Sequence, residues 1–192
     1  MKKILLIGDS IRKGYCEYVK EKLSDVAEVY YDEENCRFAE YVLRYFNAWC
    51  RKLELADDID MVHWNAGLWD VLEMFGDEPL TTPDYYRNVI VRITKRIRMF
   101  FPKAKIVFAL TTAVDESLLK PDFMRRNSVI RQYNDIAIEA LTPLGVSFND
   151  LYSITESCDP DCRSDGVHFN CDAGVAMMGE AVVNNIRREL SI

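Results

Sequence analysis

Histidine is scarce in this chain. Among 192 residues only His63 and His168 are present, so the search for a general base that works near neutral pH is a short one. Positive charge is also in deficit: 24 Lys and Arg against 31 Asp and Glu leave a formal charge of −7. Phosphate binding by a nucleic-acid partner needs a concentrated basic surface, and this balance argues against it. The one basic cluster, "RITKRIRMFFPKAK", has spacings that put its charges on the solvated outside of one helix; a basic docking surface is the alternative. No apolar run approaches the roughly 20 residues of a membrane-spanning helix. The N-terminal "MKK" followed by "ILLI" imitates a secretion signal, but the run is short and Asp9 follows it at once. A cytoplasmic protein is expected. Neither Gly-x-Gly-x-x-Gly nor Gly-Lys-Ser/Thr occurs, which counts against a nucleotide site.

The six cysteines, at positions 16, 36, 50, 158, 162 and 171, are scattered and do not form a disulfide framework. In "CDPDCRSDGVHFNC", Cys158, Cys162, His168 and Cys171 are a conceivable zinc set, although no second tight pair completes a ribbon or knuckle. Reduced thiols are the plainer reading, and no metal is assigned.

What the chain does contain is an alternation. With 49% hydrophobic and 29% charged residues, and ten Tyr, nine Phe and three Trp, it can build one substantial core, so residues 1–192 are read as a single domain. Short apolar runs, "KILLIG", "AEVYYD", "IDMVHWN", "AKIVFALTT" and "VSFNDLY", read as strands. Between them lie amphipathic segments with apolar residues three and four apart. The helices expected are 10–23, 37–53, 81–101, 125–145 and 172–190. Thr82 is expected to cap the third, with Pro83 at its first position and Asp84 complementing its dipole. Five alternations predict a three-layer, doubly wound, flavodoxin-like α/β domain with a five-stranded, mainly parallel sheet. Ligands in such folds bind at the carboxyl ends of the strands. "GDS", "NC", "NAGLWD" and "TTAVD" should then share one rim.

On that rim Ser10 is either a helix-start residue or a nucleophile whose own N–H faces a developing oxyanion. His63, inside an apolar strand, reads as a core residue. His168 lies in "SDGVHFN", three residues after Asp165; with Gly166 to bend the turn, the carboxylate can reach one imidazole nitrogen and leave the other free for a serine proton.

"GDS" near the start, Asn65 in the middle and "DGVH" near the end resemble the SGNH/GDSL hydrolases, a family of esterases and acyl hydrolases, and the resemblance spans nearly the whole chain. It implies the SGNH hydrolase fold, with Ser10 as nucleophile, His168 as general base and Asp165 as orienting acid. It also implies an oxyanion hole made by the Ser10 N–H, a main-chain donor at or near Cys36 and the Asn65 amide. The family's usual glycine after the second strand is missing from "DEENCRFAEY", and its Gly-x-Asn-Asp is altered to "WNAGLWD". "HWNAGLWD" with "ENCRF" looks like a branch that removes acetyl groups from carbohydrates. Asp9, Trp64 and Trp69 are then expected to touch substrate, the tryptophans offering flat faces to sugar rings.

The expected activity is serine ester hydrolysis of a small-molecule ester, an acetylated sugar in the first place, with no cofactor. Lipid or thioester hydrolysis is the competing chemistry. A phosphate- or nucleotide-binding protein and a catalytically silent relative are the alternatives of other classes.

Overall fold

The computed structural model describes residues 1–192 as an α/β domain of three layers. Its main sheet is built from β1 (Lys2–Ile7), β2 (Ala27–Tyr31), β3 (Met61–Trp64), β5 (Lys105–Ala109) and β7 (Ser147–Asn149), in the order β2-β1-β3-β5-β7. Every pairing is parallel. Strands covered on both faces need apolar side chains on both, and Ile4–Ile7 and Met61–Trp64 are buried throughout.

Helix α1 (Ser10–Lys22) packs with α6 (Asp172–Leu190), while α2 (Ala39–Lys52), α3 (Pro83–Phe100) and α4 (Asn127–Leu141) pack in succession. The chain goes one way from β1 to β2 and the other way from β2 through β3, β5 and β7. Right-handed crossovers therefore put α1 and α6 on one face and α2–α4 on the other. The reversal lies between β1 and β3, which pair directly. That is the topological switch point, where an open parallel sheet leaves a crevice at its carboxyl edge. Ser10 follows β1 and Asn65 follows β3, so both stand there.

Three local readings are refined. "VSFNDLY" is a strand only over Ser147–Asn149, after which Asp150 caps the short helix α5 (Leu151–Glu156) by accepting the Ser153 N–H at 3.0 Å. Thr82 occupies the cap of α3 with Pro83 following it, but its side chain makes no cap hydrogen bond. The loops after β3 and β5 pair with each other as an antiparallel ribbon of β4 (Glu73–Met74) and β6 (Phe123–Met124). No helix is long and apolar enough to cross a membrane.

Candidate active site

The β1–α1 junction explains how Ser10 comes to be free. Asp9, not Ser10, caps the helix: its Oδ1 accepts the Ile11 N–H at 3.0 Å. Ser10 is the first helical residue, where a backbone N–H has no intrahelical acceptor, and its hydroxyl points away from the cap. His168 Nε2 lies 2.9 Å from Ser10 Oγ. On the other side of the ring, His168 Nδ1 is 2.8 Å from Asp165 Oδ2 and 3.1 Å from Oδ1.

The Asp165 loop is closed by short-range bonds. Asp165 Oδ1 accepts the Val167 and His168 N–H groups, each at 2.7 Å, and the Ser164 N–H donates to His168 O at 2.8 Å. Burial pushes the Asp165 carboxyl upward. The bonds from Val167 N–H and from the His168 ring and backbone outweigh this and hold it below the ordinary carboxylate range. Gly166 serves close approach, not an unusual φ. A Cβ there would lie 2.9 Å from Leu119 and 3.1 Å from Asp115 O, where the Asp115 N–H meets Gly166 O at 2.8 Å.

Ser10 and His168 open onto a cleft of about 430 Å³ whose other lining residues include Lys13, Asn35, Asn170 and Val175. Only one of its lining residues is hydrophobic. The loop after β2 that carries Asn35 is anchored from below by Arg12, a fully buried residue whose guanidinium donates to Glu34 O at 2.6 Å. Glu34 in turn accepts from the Tyr41 hydroxyl and from Trp49 Nε1. Asn35 Oδ1 accepts the Arg37 N–H at 2.9 Å, which leaves the two amide hydrogens of Asn35 free for the cleft.

Cys36, the residue expected to supply a main-chain donor, does not face the cleft. It is buried, and its N–H is spent on Gly8 O at 3.1 Å. Asn65 is also buried. Its N–H continues the β1–β3 ladder to Ile7 O, and its side chain lies directly over Gly8, where a Cβ would come within 1.9 Å of its Oδ1.

Two of the three residues expected to touch substrate cannot. Asp9 is fully buried beneath Ser10; burial pushes its carboxyl up, against the Ile11 N–H and the nearby Asn65 amide, which favour its charged form. Trp64 is equally inaccessible, packed edge-on against Phe108 with ring centroids 4.7 Å apart, because its strand is covered on both faces. Trp69 is half-buried in the loop after β3. His63 is a core residue: the Asn149 amide meets its Nε2 at 3.2 Å, and burial pushes its pKa down to about 4, so it is neutral. In the cysteine-rich loop all the thiols are free, and both His168 nitrogens are engaged by Ser10 and Asp165. No group of three or more His, Cys, Asp or Glu side chains is arranged to hold a metal.

Asn35 belongs to the rim stretch "NC", whereas the sequence gives Arg12 and Asp70 no role. Both Asp70 carboxylate oxygens lie 3.1 Å from the Ala39 N–H, tying the start of α2 to the loop after β3. The "NAGLWD" stretch contains Asp70, but nothing local says that its partner is Ala39.

No family model and no curated protein matches this chain. Solved structures do. A lipase/acylhydrolase from Enterococcus faecalis superposes with a TM-score of 0.77 at 21% identity, covering 98% of this chain and 97% of that one. A putative platelet activating factor from Streptococcus pneumonia gives 0.79 at 18% identity over 96% and 84%. A catalytic mutant of an acetylxylan esterase from Geobacillus stearothermophilus gives 0.71 at 16% identity over 98% and 93%. Identities this low establish a likeness of architecture, and by that likeness the chain has the SGNH hydrolase fold.

Proposed function

We propose that this protein is a serine ester hydrolase that works through an acyl-enzyme and removes acetyl or similarly small acyl groups from a carbohydrate or other small alcohol. The observation that carries the reading is the unbroken hydrogen-bonded relay from Ser10 Oγ through His168 to Asp165. His168 Nε2 takes the hydroxyl proton as Ser10 Oγ bonds to the acyl carbon, and the carbonyl electron pair moves onto oxygen. Asp165 holds the ring tautomer and stabilises the imidazolium. The oxyanion is received by the Ser10 N–H, the Asn65 amide and the Asn35 amide, the last taking the place first expected of Cys36. Collapse breaks the ester C–O bond, and the leaving alkoxide takes the proton from His168. Water, deprotonated by the same nitrogen, then releases the acid and restores Ser10.

A polar cleft with a single apolar lining residue suits a short acyl group and a hydroxyl-rich alcohol better than a long chain. The acetylxylan esterase among the similar folds points the same way. Lipid ester hydrolysis is favoured by one feature, the exposed Phe75 and Phe123, which pair edge to face at the ribbon. We place the work in the cytoplasm, where six free thiols stay reduced.

The test is intact-mass analysis after treatment with a fluorophosphonate, on wild type and Ser10→Ala. One adduct on wild type and none on the variant is expected. A folded wild-type protein that takes no adduct would end the nucleophile assignment. Acetyl against dodecanoyl esters of one alcohol then separates the two substrate classes.

A further inference from the structure

Arg125 lies between β6 and α4, half-buried, with its Nε donating to Leu68 O at 2.6 Å. Leu68 belongs to the loop after β3 that begins with Asn65, so the guanidinium is fastened to the rim of the site. Its two terminal nitrogens make no hydrogen bond and no ion pair. Neighbouring Arg126 behaves in the ordinary way, pairing with Glu73 at 3.0 Å. The carboxylates that the Arg125 charge faces are Asp9 and Asp165, one adjoining Ser10 in the chain and the other bonded to His168. Neither forms an ion pair with it, and Asp165 is committed to the imidazole.

Taking a cation partly out of water without an anion to meet it is unfavourable for folding. Lys13, on the wall of the Ser10 cleft, likewise has no acidic partner. Lys13 thus borders the cleft of the nucleophile, and Arg125 is tied to the loop that begins at Asn65 on the same rim. A planar guanidinium with Nε already fixed presents its terminal N–H groups in a set direction, suited to two oxygens of one acid group.

We propose, resting on the ester-hydrolase reading, that the substrate is an anionic ester whose carboxylate or phosphate group is held by Arg125 beside the scissile bond. The alcohol or acyl portion therefore carries a negative charge, as an acetylated acidic sugar does.

The measurement is kcat/KM for matched pairs: O-acetylated galacturonic acid against its methyl ester, and acetylated glucose 6-phosphate against acetylated glucose. A ratio cancels the fraction of protein correctly folded. Wild type should favour at least one anion about tenfold, the size of one charge-assisted hydrogen bond in a partly exposed site. Arg125→Gln should bring that ratio to about one, Arg125→Glu below one, and Arg125→Lys to an intermediate value. Which pair shows the preference identifies the acid group. Ratios near one for both anions in wild type, or an unchanged ratio in Arg125→Gln, would overturn the proposal. Binding of the products, galacturonate against methyl galacturonate, is measured in parallel by calorimetry. A preference for galacturonate lost in Arg125→Gln supports the anion site even if no ester is turned over, and equal weak binding in both proteins refutes it. Absence of turnover and of a fluorophosphonate adduct would instead strike at the hydrolase reading alone.

Discussion

Asp70 offers a quantitative check on how the donor loops are held. Its carboxyl is buried, and burial is the main reason its pKa is pushed up to about 7 from an ordinary value of 3.8; the Thr81 side chain and the Ala39 N–H oppose this, and Asp9 adds to it. In the unfolded chain the group ionises near 3.8, whereas the folded protein keeps its proton until about pH 7. Between these values the folded state binds more protons, so the contribution of Asp70 to stability falls as pH rises and levels off above 7. Each pH unit in that window costs about 1.4 kcal/mol. From pH 5 to 8 the loss attributable to this one group is therefore on the order of 2–3 kcal/mol. Asp70→Asn has no such proton, yet keeps one oxygen to accept the Ala39 N–H. Urea unfolding of both proteins at pH 5, 6, 7 and 8 should show the stability gap moving by that amount in favour of the variant as pH rises. Parallel curves would mean that Asp70 titrates normally in the fold and that the buried clamp is misread.

Two further perturbations address the chemistry. Asp165→Asn keeps the shape of the loop but loses the carboxylate that fixes the His168 tautomer, so kcat on an acetyl ester should fall about 10⁴-fold with little change in melting temperature; a loss under tenfold would remove Asp165 from the relay. Asn35→Ala should lower kcat by about 10²-fold if its amide receives the oxyanion. Cys36→Ala, at a residue turned away from the cleft, should stay within about twofold and cost about 1 kcal/mol of stability from a small cavity. An Asn35→Ala variant with unchanged kcat would remove its amide from the oxyanion hole.

The features legible in the sequence were those with short-range causes. Continuous apolar runs such as "KILLIG" suit doubly covered strands, and their alternation with amphipathic segments leads to a parallel sheet with Ser10 at its rim. Asp165 and His168 are three residues apart, so one turn is enough to join them, as the 2.8 Å contact bears out. Trp64 was misjudged although the information was present: a residue inside a central parallel strand has helices on both sides and no path to solvent. The two-residue strands β4 and β6 are too short for any periodicity, and they pair only because two rim loops meet.

By itself the sequence determined the strand-helix order, the placement of Ser10 directly after the first strand, and the Asp-x-x-His turn, because each depends on neighbours within a few residues. Tertiary structure alone decided which polar groups remain available. Cys36 N–H is consumed by Gly8 O, Asp9 is sealed beneath the helix it caps, and Arg125 is tied to Leu68 with its charge unmatched. Whether a donor, a carboxylate or a cation is free to act depends on partners distant in the chain, and only the folded arrangement of the loops supplies or withholds them.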